Sequence, residues 1–471
     1  MFDLKLTPKQ QEAVDYSGDE MLVKGIAGSG KTTVLLKRAR KIITTDSQAT
    51  VALFTYNKTL RKYATSLARI LESDRIKVYN FHSWARQLLD EYKVKLYVVK
   101  GKNQDAILEK AIKNIAEKST NRLVNENKYF NFLKEEISFI KGKDISQRDG
   151  YLNGDRSGRG SKVRLVVADR EVVFDVFQRY CLLLKEQKKC DFDDFALLLK
   201  KKWEESTQTG RYDHVFVDEA QDLHYLQLIL LKQAARKGIV FAADKGQKIY
   251  NTSFSWREIG INVSGGRTKV LTQTHRSTKQ IISLAHSLQR HDPGYKNKDE
   301  DYVSPEIPNI EGPIPQLIVC KNAMVEYDTV FDLVKKIQES RPNYVIGLLG
   351  RGWKDVQKLK FALETRGMRP ELIQEDEGDV LSPGVKISNF HSVKGLEFDS
   401  VIICKFRDDA VPKKENHNEK IEVMEEHLSV ERRLLYVAMT RAKFELYLVQ
   451  SGGASSFLKE LDSDLYEVRK V

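Results

Sequence analysis

Gly25-Ile-Ala-Gly-Ser-Gly-Lys31-Thr32 is the stretch on which the fold turns. It satisfies G-x-x-x-x-G-K-[ST], a loop whose glycines let backbone N–H groups close around phosphate oxygens. The apolar run Met21-Leu22-Val23 precedes it and a helical pattern begins at Lys31, which is the strand, loop and helix order such a loop needs. In that setting Lys31 neutralises terminal phosphate oxygens, Thr32 ligates Mg²⁺, and the helix N-terminus adds its dipole. The other half of a phosphoryl-transfer site follows at Val215-Phe-Val-Asp218-Glu219-Ala-Gln-Asp222, an apolar strand ending in two adjacent carboxylates. Asp218 would hold the Mg²⁺, and Glu219 would orient and deprotonate the attacking water. An acidic pair after a strand is also a common helix cap. Its place downstream of a phosphate-binding loop selects the catalytic reading.

Outward from these two stretches the chain alternates strand-like and helical patterns. Residues 51–54 read as a strand followed by a helical run to residue 70, and strand-like runs return at 214–217 and 238–241. Between about 84 and 190 the pattern is mainly helical, with a Gly/Arg-rich patch at 150–162, so this part reads as an insertion. Pro293, Pro305, Pro308, Pro313 and Pro315 mark an irregular connection. A second alternating region carries strand candidates at 316–319, 344–348, 385–387, 401–405 and 446–449, and the charged stretch 407–427 reads as a surface loop. Strands alternating with helices imply parallel sheets with crossover helices. The expected architecture is therefore α/β, with two parallel-sheet P-loop NTPase lobes: residues 1–84 with 190–272, a helical insertion at 85–189, and residues 273–471.

With 471 residues and 41% hydrophobic content, the chain can bury more than one core. No run approaches the roughly 18 apolar residues of a membrane span, and the N-terminus lacks the apolar core of a secretion signal. A cytoplasmic protein with no membrane partner is expected. Cys181, Cys190, Cys320 and Cys404 have neither disulfide-framework nor zinc-ligand spacing and read as reduced. The net charge of +12 points to a polyanionic partner. Residues 86–189 carry 23 Lys/Arg against 15 Asp/Glu, which makes the insertion a candidate nucleic-acid surface. The alternative is a solvated helical face that happens to be basic.

Five further segments carry a family resemblance: Leu6-Thr-Pro-Lys-Gln10, Ala243-Asp244-Lys-Gly-Gln247-Lys-Ile-Tyr250, Gln273-Thr-His275-Arg276-Ser-Thr278, Asn389-Phe-His391-Ser-Val-Lys394-Gly-Leu-Glu397-Phe398 and Glu431-Arg-Arg-Leu-Leu-Tyr436-Val-Ala-Met-Thr440-Arg441-Ala442. Together with the P-loop and Asp218-Glu219-Ala-Gln-Asp222, these resemble the UvrD/Rep/PcrA group of superfamily 1 DNA helicases along nearly the whole chain. The resemblance implies two RecA-like lobes with ATP and Mg²⁺ in the cleft between them, and an ATP hydrolase activity. It gives Gln10 to the adenine and Gly25, Ala27, Gly28, Ser29, Gly30, Lys31, Thr32, Thr33 and Arg38 to the nucleotide from the first lobe. From the second lobe come His275, Arg276, Arg441 and the ribose contact Glu397. Gln247 would sense the γ-phosphate, while Arg276 and Arg441 would stabilise its charge as arginine fingers do.

For single-stranded DNA or a junction with duplex, the same resemblance implies contacts by Tyr56, Asn57, His82, Ser83, Trp256, Arg257 and His391. The competing reading for Tyr56 and Trp256 is internal packing. The sequence departs from the family at His275, where a tyrosine is usual, at Ala243, where a glycine is usual, and in the extra residues 251–255. Only 21 residues separate Leu363 from Val385, where full-size relatives insert a large 2B subdomain. Residues 86–189 have the size of the family's 1B subdomain. Three functions fit: a 3′-to-5′ translocase or helicase on single-stranded DNA, a DNA-sensing ATPase subunit working with a nuclease or other protein partner, as in anti-phage defence, and an RNA-directed motor.

Overall fold

In the computed structural model, two all-parallel sheets lie side by side, and the structure describes residues 6–55, 65, 75–154, 163–206, 210–248, 254–296, 302–374, 382–414 and 421–471. The first sheet runs β3-β2-β4-β5-β1-β6, from β1 (Glu20–Gly25), β2 (Val51–Thr55), β3 (Ile76–Asn80), β4 (Tyr212–Val217), β5 (Ala235–Ala243) and β6 (Thr268–Leu271). The second runs β13-β7-β12-β11-β8-β10-β9, from β7 (Gln316–Cys320), β8 (Val345–Gly350), β9 (Glu371–Leu372), β10 (Gly384–Asn389), β11 (Phe398–Ile403), β12 (Ala442–Ser451) and β13 (Glu467–Lys470). Central strands such as β2 and β8 are buried along their whole length. Helices covering both faces of a parallel sheet explain why these strands read as unbroken apolar runs.

Flanking helices in the first lobe are α1 (Pro8–Asp15), α2 (Lys31–Thr45), α3 (Phe81–Glu91), and, after the insertion, α9 (Asp194–Glu204) and α10 (Tyr225–Ala234). The insertion itself consists of α4 (Lys102–Ala116), α5 (Arg122–Asn125), α6 (Phe130–Gly142), α7 (Arg148–Leu152) and α8 (Val167–Glu186). The second lobe adds α11 (Lys279–Gln289), α12 (Pro293–Lys296), α13 (Ala323–Ser340), α14 (Trp353–Glu364) and α15 (Ile421–Met439). Two details differ from the sequence reading. Trp84, Ala85, Leu88 and Leu89 of α3 lie in the core of the first lobe, so the chain leaves that lobe several residues after position 85. The charged stretch 407–427 is not simply a surface loop: Ala410 and Val411 are in the second core and α15 starts at Ile421. Charge content hid two apolar residues that pack inward.

A buried ionic node ties the insertion to the first lobe. Lys141 of α6, with a fully buried side chain, reaches Asp191 at 2.8 Å and Asp194 at 2.7 Å where the chain re-enters the lobe. Tyr180 of α8 donates its hydroxyl to the same Asp191 at 2.9 Å, and the Lys141 ammonium lies over its ring. Burial alone would lower the lysine pKa, but the two carboxylates outweigh it and raise it, so the cation persists. Removing one partner from a buried pair leaves charge uncompensated, which costs about 3–5 kcal/mol. Lys141→Ala should lose stability of that order in urea unfolding, and adding Asp191→Asn and Asp194→Asn should recover part of it.

Candidate functional site

Four neighbouring strands of the first sheet, β4, β5, β1 and β6, deliver their carboxyl ends to one edge, where parallel sheets place their sites. From β1 comes the loop 25–30. Gly28 (φ 71°) and Gly30 (φ 81°) are left-handed, and the space beside them is filled as well. A Cβ at Gly28 would lie 2.5 Å from Thr274 Oγ1, and one at Gly30 would lie 2.6 Å from Gln10 Nε2. Glycine is therefore required twice over at each position. Thr7 and Gln10 form a capping box at the start of α1, and Gln10 Nε2 donates to Ser29 O at 2.9 Å. Lys31 Nζ donates to Gly25 O at 2.9 Å and Ile26 O at 3.1 Å, and lies 3.7 Å from Asp244. Ser29 Oγ is buried with no hydrogen-bond partner among the described residues. An orphaned hydroxyl beside a lysine and a left-handed glycine turn fits a bound phosphate, with Thr33 half-buried beside Thr32 at the start of α2.

Arg38 corrects an expectation. Its Nη1 donates to Val14 O and Tyr16 O and its Nη2 to Gly18 O. The guanidinium therefore ties α2 to the end of α1, and its terminal nitrogens are committed to backbone carbonyls rather than to a nucleotide.

β4 and β5 contribute four carboxylates, all with less than a tenth of their surface exposed: Asp218, Glu219, Asp222 and Asp244. Thr32 Oγ1 donates to Asp218 Oδ2 at 2.5 Å, bringing together the two residues expected to hold Mg²⁺. Burial pushes Asp218 up to about 6, and the adjacent Glu219 charge adds to this. A hard divalent cation takes oxygen ligands of this kind, and its charge would offset that penalty, so the donor set fits Mg²⁺. Glu219 sits at φ 52°, a left-handed conformation that a non-glycine residue adopts at a cost of about 1–2 kcal/mol. Such strain gathers at functional positions. Burial would raise its pKa, but Lys394, Lys31 and Gln221 together hold it at about 2. Gln221 bridges the two strands, donating to Glu219 at 2.5 Å and accepting from Asp244 N at 3.0 Å.

The second lobe supplies cations to this acidic edge. Lys394, in the turn after β10, donates to Asp222 at 2.5 Å and to Gln247 O at 2.6 Å, and lies 3.6 Å from Glu219. Burial pushes Asp222 up to about 7 despite that lysine. Arg441, between α15 and β12, donates to Gln247 Oε1 at 2.8 Å, and Gln247 donates to Asp244. Burial lowers Arg441 to about 10, which still leaves it cationic at neutral pH. Arg276 pairs with Glu397 at 2.5 Å, so two residues expected to touch nucleotide are joined to each other. His275, exposed, donates its backbone N–H to Gly28 O at 3.0 Å, and Ala27 packs into the core of the second lobe. Lys394, Asp222 and Asp244 received no role from sequence. Their partners lie on the other lobe or the neighbouring strand, and spacing does not report such pairings.

The expected nucleic-acid residues divide. Tyr56 and Asn57 lie outside the described residues, as do Arg156, Arg159 and Lys162 of the Gly/Arg-rich patch. His82 opens α3 against Phe81, Phe192 and Phe195, and burial lowers its pKa to about 4, so it is neutral at pH 7. Ser83 lies in the first turn of α3, donating its backbone N–H to the capping side chain of Asn80 at 2.7 Å and its hydroxyl to Asn80 O at 3.0 Å. Trp256 is 9% exposed and packs against Phe241 and Phe254 in the core of the first lobe. Among the described residues its ring packs internally, which is the arrangement of the competing reading. Arg257 beside it is exposed. His391 lies 3.3 Å from Arg351, and burial together with that arginine lowers it to about 4. Phe192, to which the sequence reading gave no role, is 42% exposed with its ring 5.2 Å from His82. The only sequence signal was an aromatic set among carboxylates in Asp191-Phe-Asp-Asp194.

Residues 6–260 match the family model described as the UvrD/REP helicase N-terminal domain, and residues 371–452 match that of the UvrD-like helicase C-terminal domain. The chain is similar to DNA helicase IV of Escherichia coli (strain K12), with 22% identity over 99% of this chain and 70% of that protein. It is similar to the ATP-dependent DNA helicase PcrA of Leuconostoc citreum, with 26% identity over 60% of this chain and 39% of that protein. Similarity to the ATP-dependent DNA helicase Rep of Buchnera aphidicola reaches 23% identity over 71% of this chain and 49% of that protein. The matches thus cover less than half of the PcrA and Rep relatives' length. Two substitutions separate the structural and site roles argued above. Arg38→Ala should lower the melting temperature while nucleotide affinity at low temperature is unchanged. Lys394→Ala should leave nucleotide binding close to wild type and depress steady-state ATP turnover, because it strips the acidic edge of a cation from the opposite lobe.

Proposed function

Because the chain belongs to the UvrD/Rep helicase family, we propose that it is an ATP-driven motor on single-stranded DNA, moving with 3′-to-5′ polarity. The observation that carries this reading is the division of the acidic edge between lobes. The carboxylates and Lys31 come from the first lobe, while Lys394 and Arg441 reach them from the second. A site completed only when two lobes meet converts nucleotide chemistry into relative motion. That separates a motor from a simple nucleotide-binding module.

In the proposed cycle, Lys31, Ser29 and the loop N–H groups bind the phosphates. Thr32 and Asp218 are the residues that would hold Mg²⁺, which supplies charge neutralisation at the phosphate oxygens when bound. Gln10 and His275 flank the base and Glu397 the ribose. Glu219 accepts the proton of the attacking water. Lys394 close by keeps that carboxylate ionised against its burial, and so free to accept the proton. Arg441 and Arg276 stabilise charge that develops on the transferred group.

A second reading has its own observation. Residues 365–383 are the whole connection between α14 and β10, too short for the accessory subdomain of full-size relatives. A DNA-sensing ATPase acting with a nuclease or another protein fits that economy. Duplexes bearing a 3′ or a 5′ overhang separate the two. Displacement from the 3′ overhang supports the motor, whereas strong stimulation of ATPase by single strands without displacement supports the sensor. Preference for RNA would require contacts to the 2′-OH.

Three substitutions test the chemistry. Lys31→Ala should lose both nucleotide binding and turnover. Glu219→Gln should bind ATP and fail to hydrolyse it. Arg441→Ala should bind nearly as wild type while turnover falls by about 10³–10⁵, the usual worth of an arginine finger. Its stimulation by single-stranded DNA should vanish, and basal and stimulated ATPase rates would show this. Preserved stimulation in Arg441→Ala would mean that the second lobe does not complete the site.

A further inference from the structure

The insertion joins the first lobe through a basic neck whose outward face is unaccounted for by the site above. After a left-handed turn at Lys93 (φ 58°), residues 94–98 form no helix: Val94, Leu96 and Val98 pack against the core of the first lobe, while Lys95 and Tyr97 alternate with them and, like Lys93, are exposed. The returning chain lies alongside, with Val99 N donating to Cys190 O at 2.8 Å and Cys190 N donating to Tyr97 O at 3.0 Å. Where the two segments meet, Arg86, Tyr97, Asn103 and Lys189 surround an apolar floor of Leu96 and Val98, in a pocket of about 410 Å³. Tyr97 is 61% exposed. No acidic residue occurs between positions 92 and 104, whereas lysines stand at 93, 95, 100 and 102 on one side and at 185, 188 and 189 on the other.

We propose that this neck pocket binds one nucleotide of single-stranded DNA, with its base stacked on Tyr97 and its phosphate held by Arg86 and Lys189. The proposal rests on the single-stranded DNA reading above and extends it to a place that reading does not assign. A single exposed tyrosine is ordinary on a protein surface. Here the ring borders a pocket with an apolar floor and cations on either side, the combination that sequence-tolerant single-strand binding uses. Arg86 forms no ion pair among the described residues, and Lys189 is engaged only with the neutral Gln187.

Position gives the second support. Arg86 follows His82 by one turn on α3, so the two share a helix face. Phe192, packed on His82, is two residues beyond Cys190, which flanks the pocket. Through α3 and the segment 190–192 the pocket therefore adjoins the part of the first lobe that carries His82 and Phe192. A duplex keeps its bases stacked on one another and has none to offer Tyr97, so the occupant is a single strand.

Equilibrium binding of end-labelled oligodeoxythymidylates of stepwise increasing length, read by fluorescence anisotropy, tests the pocket. The proteins compared are the full chain, Tyr97→Ala, Tyr97→Phe and the double variant Arg86→Gln with Lys189→Gln, with thermal unfolding as the control for folding. Tyr97→Ala should match wild type on oligomers too short to reach the neck and lose roughly 5- to 150-fold on longer ones. Tyr97→Phe should restore that loss. The double variant should reduce the slope of log affinity against log salt by about 0.7 for each lost phosphate contact. Equal affinity of Tyr97→Ala and wild type at every length would overturn the pocket alone, as would a loss independent of length, or one seen only with duplex or RNA. A wild-type protein that bound no single strand of any length would overturn the motor reading and the pocket with it.

Discussion

Four carboxylates lie within the carboxyl edge of two adjacent strands, and water reaches none of them freely. Such a cluster is tolerated only beside positive charge. The first lobe provides Lys31 there, with Lys248 acting on Asp222, and the second provides Lys394 and Arg441. The docking of the lobes is thus the solution to an electrostatic problem created by the sheet that binds phosphate. Contacts around it follow the same division: the loop 25–30 offers Gly28 O to His275 and Ala27 to the other lobe's core, so the phosphate loop is itself part of the interface.

This arrangement makes each element of the site sensitive to its neighbours. Glu219 depends on Lys394 for its ionisation, Gln247 is held between Asp244 and Arg441, and Gln221 links the ends of β4 and β5. Displacing any one group shifts the balance of the remainder, because charges in a low-dielectric setting are screened weakly. The ionic node at Lys141 applies the same principle to the insertion. There the partners all belong to one lobe and its insertion, which suits a fixed attachment rather than an interface that exchanges partners.

Much of this was legible in the sequence, for reasons that differ by element. The strands 21–23, 51–54 and 214–217 stood out because burial on both faces demands unbroken apolar runs. The phosphate loop and Asp218-Glu219 stood out because their chemistry depends on residues close in the chain. β3 went unread since Ile76-Lys-Val-Tyr-Asn alternates over too few residues, and β6, at the sheet edge, has only Leu271 buried. Arg38 and Trp256 were assigned outward roles because an arginine or a tryptophan near a motif carries no mark of the direction it faces. Backbone carbonyls claimed the first and an aromatic core claimed the second. Lys394 was visible as a residue, but its partners are more than a hundred positions away. Gln10 and His275 were legible because both fall in short motifs, and both reach the phosphate loop, at Ser29 O and Gly28 O.

The pairing of Arg276 with Glu397 has a thermodynamic implication for ligand choice. The guanidinium is already satisfied by a carboxylate, so any anion that recruits it must outcompete an intramolecular partner held at high effective concentration. A more highly charged oxygen cluster would compete better in that exchange than a weakly charged group, and a Glu397 released by it would be left as a free hydrogen-bond acceptor.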